Sequence, residues 1–124
     1  MKREDPPRPE VRVRLAEGLE EARAQIEAGL EEEGVPGQSA WGPERVESRA
    51  EAAHAEAVAS RLGVGVWVDA SGACLHLSRL PVKRAFLVYE GADREAWRRL
   101  GQNAARVVKG IPMLALNEDE RFDT

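Results

Sequence analysis

The sequence is poor in the residues that most often carry covalent or metal chemistry. It has one cysteine, Cys74, and two histidines among its 124 residues. A single cysteine excludes an intramolecular disulfide framework. No apolar run reaches the roughly 18 residues of a membrane-spanning helix, and no signal-peptide pattern opens the chain. We therefore expect a cytoplasmic protein that has no membrane partner.

The chain has fewer basic than acidic residues. The 22 acidic residues exceed the 18 basic ones, which gives a formal net charge of −4. Because a chain of this sign lacks a strong electrostatic attraction to phosphates, we do not expect a nucleic-acid partner.

Large apolar side chains are few, since Leu, Val, Ile and Phe together make up 27 of the 124 residues. Apolar residues make up 43% of the chain, and 19 residues are alanine. We therefore expect a thin core, to which a partner could add part of the burial that a small domain needs. The same composition predicts an exposed apolar docking face and self-association of the isolated chain.

The composition of the two ends predicts one domain between two tails. Residues 1–9 are charged and rich in proline, which is typical of a disordered lead-in. Residues 118–124 are acidic and are expected to form a flexible tail. Residues 10–117 remain for a single domain, as the length of the chain suggests.

The first half of this domain alternates strand and helix patterns. Residues 11–15 alternate apolar and charged side chains, which predicts a strand with Val11, Val13 and Leu15 facing the core. A helix is predicted over residues 19–33, with Gly34 and Pro36 as its stop. Its apolar stripe consists of Leu19, Ala22, Ile26 and Leu30. A short strand is predicted over residues 39–41.

A second helix is predicted to begin at Pro43 and to end at Leu62 and Gly63. Its expected buried stripe consists of Val46, Ala50, Ala53 and Ala57. Proline is common in the first turn of a helix because its missing N–H has no partner there.

The second half reads as a hairpin, a strand and a helix. Strands are predicted over residues 64–68, 73–78 and 85–89. Asp93 is a suitable N-cap for a third helix, which Gly110 ends. The buried stripe of this helix is Trp97, Leu100, Ala104 and Val107. The order of elements predicts a small single α/β domain, with a mixed β-sheet and helices packed on it.

No constellation of catalytic residues is apparent. His54 is expected on a helix surface and His76 on a strand, without a Cys/His/Asp cluster near either. Cys74 is interpreted as a small buried apolar residue, and Ser71 belongs to a turn. Gly63–Gly65 lacks the rest of a dinucleotide-binding fingerprint. We therefore expect no enzyme activity and no cofactor bound by the isolated chain.

Three acids crowd the end of the first helix. Glu31, Glu32 and Glu33 lie where the helix dipole already carries partial negative charge, which disfavours each of them. Helix geometry separates neighbouring side chains by about 100°, so one of the three can serve a given site. A cation or an arginine-rich partner would relieve the repulsion. Three solvated surface acids are the simpler alternative, and the spacing alone favours it.

The third helix contains a second unusual segment, residues 101–112. Asn103 lies between Leu100 and Val107 on the core side, so its amide needs buried partners. It is interpreted as a tether for a neighbouring loop backbone. Arg106 and Lys109 suit the helix dipole. With Glu31 and Glu33, these three residues are candidates for a partner interface.

These two segments resemble a known family. Residues 29–36 read GLEEEGVP, which is similar to the G-I-E-E-E-G-I/V-P stretch of the small subunit of diol and glycerol dehydratase reactivases. Residues 101–112 read GQNAARVVKGIP, which resembles the family's G-x-N-A-A-R-L-V-K-G-I/V-P. The similarity runs from about Val11 to Asn117. The same pattern covers the medium subunit of the dehydratases themselves, which is usually longer.

The resemblance implies a small swivelling β/β/α-like domain and an accessory role. Reactivases are chaperone-like factors that release damaged cobalamin from adenosylcobalamin-dependent dehydratases by subunit exchange. The resemblance implies a large actin-like ATPase subunit as partner and transient contact with dehydratase subunits. In the family, the middle glutamate of the E-E-E stretch helps to ligate magnesium at the subunit interface, and Glu32 occupies that position. A carboxylate oxygen suits so hard a cation.

Two alternatives remain open at this point. The chain could be the medium subunit of the dehydratase itself, or a free-standing interaction domain. Arg12 and Arg14 depart from the more apolar first strand expected of the family, which puts subunit-specific contacts in doubt. Whether the complex lies in the open cytoplasm or in a bacterial microcompartment also stays open.

Overall fold

The structure is a computed structural model that describes residues 9–115. Its strands are β1 (Val11–Ala16), β2 (Gly37–Gly42), β3 (Val64–Asp69), β4 (Gly72–Leu77) and β5 (Leu87–Glu90). Its helices are α1 (Glu20–Glu32), α2 (Arg49–Ala59) and α3 (Arg94–Lys109). The order of elements is the predicted one. The disordered lead-in and the flexible tail were predicted for residues that lie, apart from Pro9, outside the described part.

The five strands form one mixed sheet in the order β2-β1-β3-β4-β5. β1 pairs in parallel with both β2 and β3, whereas β3, β4 and β5 are antiparallel neighbours. The predicted α/β class with a mixed sheet is therefore confirmed. None of the helices within residues 9–115 combines the length and the apolar character that a bilayer crossing requires.

The main core lies between the sheet and the pair α1 and α3. The inward residues of β1, namely Val11, Val13 and Leu15, are buried as their alternation predicts. The apolar stripes predicted for α1 and α3 pack against these residues. The buried members of the stripes are Ala22, Ile26, Leu30, Leu100 and Ala104. The partly buried members are Leu19, Trp97 and Val107. Gly34 and Gly110 follow α1 and α3 at φ angles of 72° and 70°, which glycine adopts without strain.

A second, smaller core lies under α2 on the other face of the sheet. It consists of Ala16, Ala53, Trp67 and Cys74. The small side chains of α2 allow the helix to approach the sheet closely. A Cβ atom on Gly65 of β3 would overlap the backbone of Ala53 and Ala57. Both faces of the central strands are therefore covered.

The second helix begins later than the sequence predicted. The prediction placed its start at Pro43, whereas α2 begins at Arg49. Ser48 is the N-cap, and its hydroxyl accepts a hydrogen bond from the Glu51 N–H at 3.1 Å. The capping oxygen of Ser48 outweighs the general suitability of proline for a first turn. The short strand predicted over residues 39–41 is longer than expected, because β2 covers Gly37–Gly42.

Candidate functional site

The two unusual segments of the sequence meet in space where α1 crosses α3. Gly29 of α1 and Gly101 of α3 lie at the closest approach. A Cβ atom on Gly29 would collide with the Arg98 carbonyl oxygen, and one on Gly101 with the Ile26 carbonyl oxygen. The glycines thus let the two backbones touch, and two of the three acids, Glu32 and Glu33, face the side chains of α3.

Glu33 is held by both basic residues at the end of α3. Its carboxylate accepts hydrogen bonds from Arg106 Nε at 3.1 Å and from Lys109 Nζ at 2.8 Å. Lys109 Nζ also donates to the Glu33 carbonyl oxygen at 2.8 Å. The hydrogen bond from Lys109, aided by Arg106, lowers the pKa of Glu33 from its ordinary value although burial opposes this. The structure therefore uses these three residues to join α1 to α3.

Glu32 makes a different set of contacts. Its Oε1 accepts hydrogen bonds from Arg98 Nη1 and from Gln102 Nε2, both at 3.1 Å. The side chain is 49% exposed. Among the described residues, no hydrogen bond involves its second carboxylate oxygen. Glu32 is therefore oriented by α3 and still presents one oxygen to solvent.

Glu31 is exposed and has no side-chain partner within residues 9–115. It lines a shallow groove of about 360 Å³ at the end of α1. The other residues of the groove are Glu27, Leu30, Val35, Pro36 and Gly37. The three consecutive acids therefore point to three different surroundings, as helix geometry requires.

Asn103 is a buried tether, as its position between two core residues indicates. It is fully buried on α3. Its Nδ2 donates to the Leu114 carbonyl oxygen at 3.0 Å and to the Tyr89 hydroxyl at 3.2 Å. Its Oδ1 accepts from the Leu114 N–H at 2.6 Å. Asn103 thus fixes the segment after α3, and the interpretation as a loop tether is confirmed.

The capacity of this surface for a metal is limited to a shared site. Residues 9–115 contain no group of three or more His, Cys, Asp or Glu side chains that could hold an ion. Glu32 offers one exposed carboxylate oxygen, which is a suitable ligand for magnesium. The described residues therefore fit a magnesium ion only if another molecule would supply most of its ligands.

The two histidines meet between α2, which carries His54, and β4, which carries His76. Leu77 N–H donates to His76 Nδ1 at 2.9 Å, so His76 Nε2 carries the proton that is donated to the Val82 carbonyl oxygen at 2.9 Å. The His54 ring lies edge-on to the His76 ring, with centroids 4.8 Å apart. The prediction of a surface position for His54 holds only in part, because the residue is half-buried. Its Nε2 is buried without a partner among the described residues, because α2 lies directly on β4.

Cys74 is a buried side chain of the small core, as predicted. Burial raises the pKa of its thiol to about 11, with a weak opposing effect from Arg49. The thiolate that nucleophilic chemistry requires is therefore disfavoured at neutral pH.

One charged cluster was missed by the sequence analysis. Glu56 of α2 is 8% exposed and accepts from Arg12 Nε and Arg14 Nε, both at 3.2 Å. The alternation of β1 placed these arginines on the face away from the main core. Two features of the sequence could have indicated this cluster: the acid Glu56 lies within the alanine-rich stretch of α2, and Arg12 and Arg14 alternate with apolar residues in β1.

Comparison with known proteins gives a consistent set of relatives. A family model described as dehydratase medium subunit matches residues 8–114. The diol dehydratase-reactivating factor small subunit of Klebsiella michiganensis is 33% identical over 114 residues, which cover 90% of this chain and 88% of the relative. The propanediol dehydratase-reactivating factor small subunit of Salmonella typhimurium is 37% identical over 92 residues, covering 72% and 76% of the two chains.

Two solved structures share the fold. One is a structure of diol dehydratase-reactivating factor complexed with ADP and Mg²⁺, in which a chain matches with a TM-score of 0.77 and 29% identity. The other is a glycerol dehydratase reactivase, with a TM-score of 0.79 and 26% identity. The matches cover 88% and 89% of this chain and all of the compared chains.

Proposed function

This chain belongs to the dehydratase medium subunit family, and from that premise we propose that it is the small subunit of a factor that reactivates a diol or glycerol dehydratase. It acts as an accessory subunit on a larger partner subunit. In this proposal the chain is non-catalytic, and the partner is an actin-like ATPase that hydrolyses ATP.

The observation that carries the proposal is the near-full-length match to small subunits of reactivating factors. The Klebsiella michiganensis relative aligns over 88% of its own length, so the likeness is not confined to one motif. The match also includes both unusual segments, which the fold brings together where α1 crosses α3. A rigid surface at this crossing is what a docking subunit needs, because little order is then lost on binding.

The residues of the crossing have distinct parts in this proposal. Glu33, Arg106 and Lys109 hold the end of α1 against α3, and Asn103 fixes the segment that follows α3. Glu32 and Glu31 are left to face the partner. Glu32 would hold a magnesium ion through its carboxylate, and the ion would supply positive charge that offsets the repulsion between Glu32 and acidic groups of the partner.

Subunit exchange is the proposed means of reactivation. The chain leaves the large subunit, whose vacated surface then pairs with the dehydratase and loosens it so that damaged cobalamin can escape. The surface that carries Glu31 and Glu32 is accessible on the isolated chain, as such a reversible contact requires.

The description of the family favours a second candidate function. The chain could instead be the medium subunit of a dehydratase. A pull-down from the native lysate, with this chain as bait and with magnesium and ADP or ATP, separates the two. Recovery of an actin-like ATPase supports the reactivase. Recovery of a large cobalamin-binding chain without an ATPase would make this chain a dehydratase subunit.

The metal role of Glu32 is tested by measuring the affinity of this chain for the purified large subunit. We expect Glu32→Ala to weaken binding in magnesium about tenfold, because loss of a ligand lowers the stability of a shared ion. Glu31→Ala is expected to have a much smaller effect. Isothermal titration with and without a chelator measures both.

The matched control is Glu51→Ala, which removes an exposed carboxylate of α2 that does not contact Glu32 or α3. It is expected to bind like the unmodified chain. Equal and small effects of Glu32→Ala and Glu31→Ala would remove the metal role while leaving the docking proposal intact. Absence of binding by the unmodified chain would instead count against the docking proposal itself.

A further inference from the structure

A second surface lies at the far edge of the sheet from β2 and α1. β5 is the last strand of the sheet and, within residues 9–115, pairs only with β4. Among the described residues, α2 makes its main contacts with β1, β3 and β4 and at most minor contact with β5. The register places Val88 of β5 opposite Cys74, which points toward α2. Val88 therefore lies on the α2 side of the sheet and is half exposed there.

Three apolar side chains are exposed in this region. Val82 is 38%, Phe86 36% and Val88 50% exposed. The hydrogen bond from His76 Nε2 to the Val82 carbonyl oxygen holds the loop before β5 against β4. Phe86 N–H donates to the Leu75 carbonyl oxygen at 3.1 Å, which fixes the start of β5. The apolar groups are therefore presented by an anchored loop and strand.

Basic side chains border these apolar groups. Arg79, Lys83 and Arg84 are exposed and belong to the loop that leads into β5. None of the three has an ion pair or a side-chain hydrogen bond with another residue of the described range 9–115. The region is therefore locally positive although the whole chain has a net charge of −4.

Within residues 9–115, no residue pairs with the outer backbone of β5. Gly91 N–H donates to the Ser71 carbonyl oxygen at 2.8 Å, so these two residues form a hydrogen-bonded pair. Because hydrogen-bonded positions alternate along antiparallel strands, the N–H and C=O groups of Val88 point away from β4. Such groups can pair with an added strand.

We propose that this surface, defined by Arg79, Val82, Lys83, Arg84, Phe86 and Val88, binds an extended segment of a partner protein in which apolar and acidic side chains alternate. The segment adds a strand beside β5. Its apolar side chains cover Phe86 and Val88, and its carboxylates meet the unpaired basic groups. Charge complementarity selects an acidic partner, because no acid of the described residues neutralises this loop.

This surface is separate from Glu31 and Glu32, which lie at the C-terminal end of α1. Its test does not depend on the reactivase proposal. Lysines and prolines also protect edge strands from unwanted pairing. An edge that is only protected would not bind an added strand, so a binding titration distinguishes protection from recognition of a partner.

The test is a titration of the isotope-labelled chain, followed by the amide signals in nuclear magnetic resonance spectra. The probe is a synthetic peptide of about ten residues that alternates valine and glutamate. We expect saturable shifts centred on residues 79–90. Arg84→Glu is expected to weaken binding about threefold to tenfold, and Arg45→Glu, an exposed arginine outside this surface, to leave it unchanged.

The apolar part has its own matched pair. Val88→Ser is expected to weaken binding about threefold, whereas Val58→Ser, at the 63% exposed valine of α2, is not. Absence of saturable shifts, shifts located elsewhere, or equal binding of a peptide with lysine in place of glutamate would overturn the proposal.

Two other occupants would be revealed by the same spectra. If the signals of residues 79–90 shift when the chain alone is concentrated, a second copy covers the surface and the proposal is wrong. The same conclusion follows if deletion of residues 116–124 shifts these signals, because this chain's own acidic end would then be the occupant.

Discussion

At the residue scale, Asp69 shows how one carboxylate can organise a turn. Its Oδ1 accepts from the N–H groups of Ser71 at 2.9 Å and Gly72 at 3.1 Å. Its Oδ2 accepts from Arg49 Nε at 2.9 Å and Trp67 Nε1 at 3.0 Å. Burial opposes ionisation of Asp69, but hydrogen bonds from Arg49, Trp67 and Ser71 outweigh it. The pKa of Asp69 is therefore held well below its usual range.

This arrangement predicts a stability that depends on pH. A carboxylate with a lowered native pKa stabilises the fold above its unfolded pKa of about 3.9, and that stabilisation is lost as the pH falls toward the native pKa. Asp69→Asn is expected to lower the free energy of unfolding by about 2 kcal/mol at neutral pH. The difference from the unmodified chain should shrink below about pH 4.

Denaturant unfolding followed at several pH values measures this effect. Glu90→Gln is the control, because the Glu90 side chain is 81% exposed and lies 3.9 Å from Arg49. It is expected to change stability little at any pH. A loss in Asp69→Asn that is the same at acidic and neutral pH would contradict the assignment to ionisation.

Single residues differed in how far the sequence could place them. The neighbours of Asn103 in the apolar stripe predicted a buried amide that tethers a loop, and the contacts to Leu114 confirm it. Glu33 could not be placed in the same way, because its partners Arg106 and Lys109 are more than 70 residues away along the chain. Helix periodicity predicts which side of a helix faces the core, but it does not predict which other element packs against that side.

At the scale of elements, the crossing of α1 and α3 depends on two glycines. Gly29 and Gly101 each lie against the backbone of the other helix, which no larger residue permits at this distance. Such contacts bring the Glu32 and Glu33 side chains within reach of α3. The glycines of both sequence motifs are therefore needed for packing, and the charged residues beside them depend on that packing.

Gly101→Ala is expected to destabilise the protein by about 1–3 kcal/mol, because the added methyl group meets the Ile26 backbone. In an open helix the same change would stabilise by up to about 1 kcal/mol. The sign of the change in unfolding free energy thus distinguishes a glycine packed against the Ile26 backbone from a glycine in an open helix. A more stable Gly101→Ala variant would contradict the close crossing described above.

The elements themselves followed from local patterns, with one clear exception. Alternation along β1 and the stripes of α1 and α3 predicted both their type and their buried faces. The start of α2 was misplaced because Pro43 and Ser48 are both plausible helix starts, and the chain between them has no strong period. The hydrogen bond from Glu51 N–H to Ser48 decides between them.

At the scale of the whole molecule, the sheet joins two cores of unequal size. The larger core lies under α1 and α3, and the smaller one lies under α2. β3 contributes Val66 and Val68 to the first and Trp67 to the second. Because the same strands line both cores, neither core can be lost without exposing the other.

We therefore expect both cores to unfold in a single transition. The Trp41→Phe/Trp97→Phe variant leaves Trp67 as the reporter of the small core, and Trp41→Phe/Trp67→Phe leaves Trp97 beside the large core. In each variant, the midpoint from tryptophan fluorescence should coincide with the midpoint from circular dichroism. Separate midpoints within one variant would show that the two cores unfold independently. The predicted self-association of the isolated chain stays a prediction.

The sequence by itself determined the order of the elements, the mixed α/β class, the inward faces and the motifs that identify the family. These features depend on residues close together in the chain, where periodicity and turn chemistry act. Only the tertiary structure decided that Glu33 joins α1 to α3, that Glu56 pairs with both arginines of β1, and that His54 contacts His76. Each of these depends on the side-chain distances set when helices pack on a sheet, and no local pattern encodes those distances.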